Sequence, residues 1–126
     1  MSTYEDILDH NLDSIYFGMK ANPVDEHLTK IGEVDLSEPD YSFDLLAFWV
    51  RKRDGQLLYA TDSGCSCPMP FEDAKVRDLR ETTLDTVLDV ARREARDPSG
   101  YGAVPQVDVV QKVRDLIPAM REAGAR

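Results

Sequence analysis

The sequence predicts an α+β fold: a three-stranded antiparallel β-meander flanked by an N-terminal helix and C-terminal helices. Three observations carry that reading. The middle of the chain runs "FDLLAFWVRKR", "DG", "QLLYATD", which reads as a strand, a tight turn and a return strand. Near the N-terminus and in the last third of the chain, apolar residues instead recur at spacings of three and four, the period of a helix. The 126 residues fit one globular domain, 1–126, with no internal repeat and no linker long enough to divide it.

Residues 3–17 place Tyr4, Ile7, Leu8, Leu12, Ile15 and Tyr16 on one helical stripe, with Ser2 or Thr3 as the cap and Gly18 as the stop. "ANPVDE" reads as a turn with a short helical start. Residues 30–36, "KIGEVDL", alternate as a first strand, and "SEPDYS" is a turn. Residues 43–53 form the strongest strand, apolar on both faces as a central strand requires. Asp54-Gly55 suits a two-residue turn, because glycine adopts positive φ without a steric cost. Such a turn pairs Arg53 with Gln56, Val50 with Tyr59 and Trp49 with Ala60. Leu45, Ala47 and Trp49 then share one face, and Leu46, Phe48 and Val50 the other. The return strand, 56–62, presents an open edge.

Two prolines, Pro68 and Pro70, predict that residues 63–73 leave the sheet as an irregular loop. A helix follows at 82–97, with Thr82 or Thr83 as cap and the stripe Leu84, Val87, Leu88, Ala91 and Ala95. Its acids sit early and its arginines late, matching the helix dipole. "PSGYG" is a loop. A last helix runs over 105–124 through Val110, Val113, Ile117 and Met120, and Pro118 should kink or restart it.

The formal charge is −9. Binding to a nucleic-acid backbone needs a basic face, and only "RKR" at 51–53 and "ARREAR" at 91–96 are locally basic, so direct nucleic-acid binding is not expected. The densest apolar run, "LLAFWV", is far too short to span a membrane, and the N-terminus lacks the pattern of a signal peptide. These features predict a cytoplasmic protein without membrane contact, its thiols reduced.

Both cysteines lie in "DSGCSCPMPFED", residues 62–73. Two thiolates could share a zinc ion with ligands drawn from His10, His27, Asp62, Glu72 and Asp73, or a four-sulfur site could form between two chains. Familiar zinc spacings, however, separate cysteines by at least two residues. A nucleophilic cysteine would need a base such as His10 or His27, and a Cys65–Cys67 disulfide would close a strained ring. The simplest reading is structural. Asp62 and Ser63 bond to backbone amides, Gly64 supplies a permissive backbone, the cysteines pack as small apolar groups, and Phe71 anchors the loop to the core. A rigid loop of this kind also makes a recognition surface. No catalytic residue, metal ligand or cofactor is assigned.

The pattern Asp62, Ser63, Gly64, Cys65, Ser66, Cys67, Pro68, Pro70, Phe71, Glu72, preceded by "YSFDLLAFWVRKRDGQL", resembles a family of small uncharacterised proteins of actinobacterial phages, especially those of mycobacteria. The resemblance covers about residues 30–75 and implies origin rather than mechanism. It suggests a non-enzymatic phage accessory protein that binds a host or phage protein in the infected cell. Asp62, Ser63, Gly64, Cys65, Ser66, Cys67, Pro68, Phe71 and Glu72 are its candidate binding residues, and a homodimer is a further partner expectation. The alternatives are a metal- or thiol-dependent site at Cys65 and Cys67, and an acidic DNA mimic that occupies a DNA-binding host protein.

Overall fold

The computed structural model describes residues 2–12, 23–38, 42–65, 70, 71 and 73–126. Four antiparallel strands form one sheet in the order β1 (Leu28–Asp35), β2 (Ser42–Arg51), β3 (Leu57–Cys65) and β4 (Arg80–Thr82). Two α-helices follow, α1 (Val87–Glu94) and α2 (Gln106–Glu122). The meander thus has one strand more than the sequence suggests. Arg80–Thr82, placed by the sequence partly in a helix from 82, pair instead with Tyr59–Leu57. Thr82 is buried there, and its carbonyl accepts a hydrogen bond from Gln56 Nε2 at 2.7 Å. The helix starts five residues later, after a turn in which the Thr86 hydroxyl meets those of Thr82 and Thr83 at 3.0 and 2.9 Å.

Leu45–Val50 are all buried, so both faces of the sheet need a cover. On one face Leu46, Phe48, Val50, Leu57 and Tyr59 pack under α1 and α2, through Val87, Val90, Ala91, Val109, Val113 and Met120. On the other, Leu45, Ala47, Trp49, Leu58 and Ala60 pack under Tyr4, Ile7, Leu12, Val24, Phe71 and Val76. This second cover is built mainly from short turns. The N-terminal helix expected over 3–17 is, in its described part, a 3-10 turn at Glu5–Ile7. Asn11 then bridges Lys75, and Leu12 donates its N–H to the Ala74 carbonyl at 2.8 Å. Backbone groups that a helix would use internally are spent on the segment after β3; residues 13–17 lie outside the described residues.

The strand faces are as the alternation predicts, but the hairpin register differs by two residues. Val50 opposes Leu57 and Trp49 opposes Leu58. The connection is a four-residue loop: Arg51 N–H donates to the Gln56 carbonyl, and Gly55 N–H donates back to the Arg51 carbonyl. Asp54 explains the longer loop, since its carboxylate takes two bonds from the Arg51 guanidinium at 3.0 and 2.8 Å and one from Gln56 N–H at 3.1 Å. Gly55 has φ of 74°. A shift of two keeps every side chain on its face, which is why the core survives the difference.

β1 contains a bulge: Lys30 opposes Trp49 and Gly32 opposes Phe48, leaving Ile31 unpaired between them. Leu28 therefore joins the core under the turns, while Val34 joins the core under the helices. β4 covers only Leu57–Tyr59, so the open edge expected along β3 is confined to its second half among the described residues. Pro118 neither ends nor restarts α2, which is one helix of 17 residues. It lies on the exposed side, where the Arg114 carbonyl left without a helical donor can meet water.

Candidate functional site

β3 does not stop where the sequence reading placed the loop. Asp62, Ser63, Gly64 and Cys65 are strand residues, opposite Leu45, Asp44, Phe43 and Ser42. Alternation splits the motif between the two faces. Asp62 turns toward the turn-covered face. Its Oδ2 accepts the Phe71 N–H at 2.7 Å and its Oδ1 the Ser63 N–H at 3.0 Å. Phe71 has φ of 64°, the left-handed region that non-glycine residues rarely occupy, and its ring is fully buried. The ring meets Trp49 edge-on, 5.3 Å between centroids at 83°, with the Lys30 ammonium 5.9 Å from both rings. Asp62 and Phe71 thus form a clasp that closes the motif onto the core.

Ser63 turns to the other face, beyond the cover of the helices. With Gly64 it lines a groove of about 530 Å³ whose remaining lining is Ser42, Phe43, Asp44, Ser37, Glu38, Tyr101 and Gly102. Two connections build its walls. Glu38 N–H donates to the Gly102 carbonyl at 2.6 Å and Val104 N–H to the Leu36 carbonyl at 3.1 Å, so the α1–α2 loop adds itself to the end of β1. At the floor, Arg96 grips Asp44 with Nε and a terminal nitrogen at 2.8 and 2.6 Å, and the Ser37 hydroxyl donates to Asp44 at 2.9 Å. The Arg96 hydrogen bond holds the Asp44 carboxyl below its ordinary range against the opposing effect of burial. Asp44 is therefore a carboxylate with its needs met, while Tyr101 stands wholly in solvent at 102% exposure.

Of the sequence-predicted residues, Ser63 and Gly64 reach this groove, Asp62 and Phe71 serve the clasp, and Cys65 ends β3. Ser66, Cys67, Pro68 and Glu72 lie outside the described residues. Among the described residues no three His, Cys, Asp or Glu side chains gather around one point where a metal ion could sit. Of the ligands considered for zinc, Asp62 is engaged by two backbone amides, and the His27 ring lies 3.1 Å from the Ser2 hydroxyl. Tyr101, Glu38 and the Asp44–Arg96 pair were not legible as one place. The available signals were an aromatic residue between two glycines in a polar loop, and one acid inside the apolar run "FDLLAFWV".

These features define a small α+β protein with a polar groove at one end of an antiparallel sheet, and no helix among the described residues is long and apolar enough to cross a membrane. Residues 18–123 match the model of a family described as a domain of unknown function, DUF7574, and the chain belongs to that family. No curated protein and no solved structure matches it.

Proposed function

We propose that this is a non-enzymatic accessory protein of an actinobacterial phage that binds a host or phage protein in the infected cell, through the groove beside Ser63 and Gly64. Tyr101 carries this reading. A tyrosine held wholly in water on a loop tied by backbone hydrogen bonds is a preformed contact of the kind enriched at protein interfaces. The groove beside it is shaped by well-paired groups, Asp44 with Arg96 and Ser37, so binding there requires little reordering. The motif resemblance supports the phage origin. A second copy of this chain is a competing occupant, because the second half of β3 borders the same region and β4 leaves it uncovered.

The test is affinity capture from host lysate, comparing the native protein with Ser63→Trp, which fills the groove, and using circular dichroism to confirm folding. Proteins retained by the native chain should be lost with Ser63→Trp. A folded Ser63→Trp variant that captures the same proteins at the same level would refute the groove as the binding site. Sedimentation of the free protein decides the competing occupant: a dimer abolished by Ser63→Trp would identify the second copy.

A further inference from the structure

The groove also has a sign. Among its lining residues Glu38 and Asp44 carry carboxylates and none carries a positive charge. Asp44 is already neutralised by the two-point contact with Arg96. Glu38 differs: its backbone is fixed by the bond to Gly102, but its exposed carboxylate has no hydrogen bond or ion pair among the described residues. The same backbone connection places Tyr101 in the lining beside it. A carboxylate and an aromatic ring lining one groove attract the same kind of group, since the ring face is electronegative and the acid carries a full charge. The protein's net charge of −9 draws such a group in over longer distances.

We infer that the groove receives a lysine or arginine side chain from a basic segment of the partner protein, with Glu38 and Tyr101 as the receiving pair and the Ser37, Ser42 and Ser63 side chains as its polar surround. This deepens the protein-binding reading and rests on it. A positive head would sit between the acid and the ring while its aliphatic stem lies along Phe43 and Gly64, as long basic side chains do on mixed surfaces.

The experiment uses a fluorescein-labelled peptide of alternating arginine and serine, its counterpart with glutamate for arginine, and anisotropy as the readout. The arginine peptide should bind, and binding should weaken as salt is added. Tyr101→Ala and Glu38→Gln should each lower its affinity about twofold to fivefold, the range of an exposed cation–aromatic or ionic contact. Glu122→Gln, on α2 and outside the groove, should leave affinity unchanged. Equal weakening by Glu122→Gln would show diffuse attraction to an acidic surface and overturn the inference. So would equal binding of the glutamate peptide. The two levels separate cleanly in the lysate capture. Loss of capture with Ser63→Trp but not with Tyr101→Ala or Glu38→Gln keeps the groove and removes the cation; retention with Ser63→Trp removes both.

Discussion

Gly55 is constrained twice. Its φ of 74° already disfavours any side chain, and a Cβ there would lie 2.3 Å from the Gly124 carbonyl oxygen, where Arg126 N–H also donates to the Gly55 carbonyl. Gly55→Ala should therefore destabilise the protein by about 3 kcal/mol, combining a strained backbone with a steric clash. In a chain shortened by residues 124–126 the same substitution should cost visibly less, because the clash is gone and only the strain remains; equal costs in both backgrounds by urea titration would contradict the close approach. The clasp makes a second prediction at this scale. Asp62→Ala leaves the Ser63 and Phe71 amides without their acceptor and should cost about 1–3 kcal/mol. Phe71→Ala should cost more, about 3–5 kcal/mol, by emptying the space against Trp49. The sequence makes Phe71 an anchor and Asp62 an acceptor for turn amides. It does not show that the amide Asp62 reaches is that of Phe71 itself, because that contact exists only once the strand and the loop exit have met.

At the level of elements, acid should loosen the ends of β2. The Arg51 guanidinium holds Asp54 in the hairpin loop down from 3.8 to about 2, and Arg96 lowers Asp44 at the other end of the strand. Carboxylates depressed in the folded state contribute stability that is fully present above their unfolded value and is lost as pH falls through the folded one. The melting temperature of the native protein should thus drop between pH 3.8 and about 2, and Asp44→Asn with Asp54→Asn should flatten that part of the profile; an unchanged slope would deny both pairs a role. Elements were legible where side-chain period alone decides them. β2 and β3 show it in Leu45–Val50 and Leu57–Ala60, and α2 shows it in Val109, Val110, Val113 and Met120. They were illegible where backbone pairing overrides period. Tyr4, Ile7 and Leu12 satisfy a helical stripe, yet the same spacing serves a 3-10 turn followed by a bridge to Lys75. Arg80–Thr82 read as the approach to a helix until the edge of β3 claims them. The groove was hidden for a related reason: Glu38 and Gly102 are joined by one backbone hydrogen bond, and nothing in their side chains announces it.

Taken whole, the molecule carries a net charge of −9 on a surface where at least half of the ten arginines are paired with a nearby carboxylate: Arg51 to Asp54, Arg53 to Glu5, Arg77 to Asp9, Arg92 to Asp89 and Arg96 to Asp44. In the basic runs noticed in the sequence, Arg51, Arg53, Arg92 and Arg96 are each held by an acid from outside the run rather than arrayed for phosphate. No binding to duplex DNA is expected at physiological salt. A gel shift at about micromolar protein that fades with added salt would reverse that expectation. The bulge at Ile31 has a consequence for how this chain can change length. It works as a half-period phase slip: Leu28 before it faces the core under the turns, whereas Val34, six residues on, faces the core under the helices. Deleting Ile31 alone would restore a regular ladder and leave Leu28 and Thr29 opposite Arg51 and Val50, each on its present face. Deleting Lys30 and Ile31 together would instead set Thr29 opposite Trp49 and turn Leu28 to the helix-covered face. The single deletion should therefore lower the melting temperature by only a few degrees, while the double deletion, which exchanges the faces of Leu28 and Thr29, should lower it far more. Length variation in this family is then expected to be punctuated by parity, tolerated in the turns and filtered at β1 according to whether each residue still arrives at the side of the sheet that can bury it.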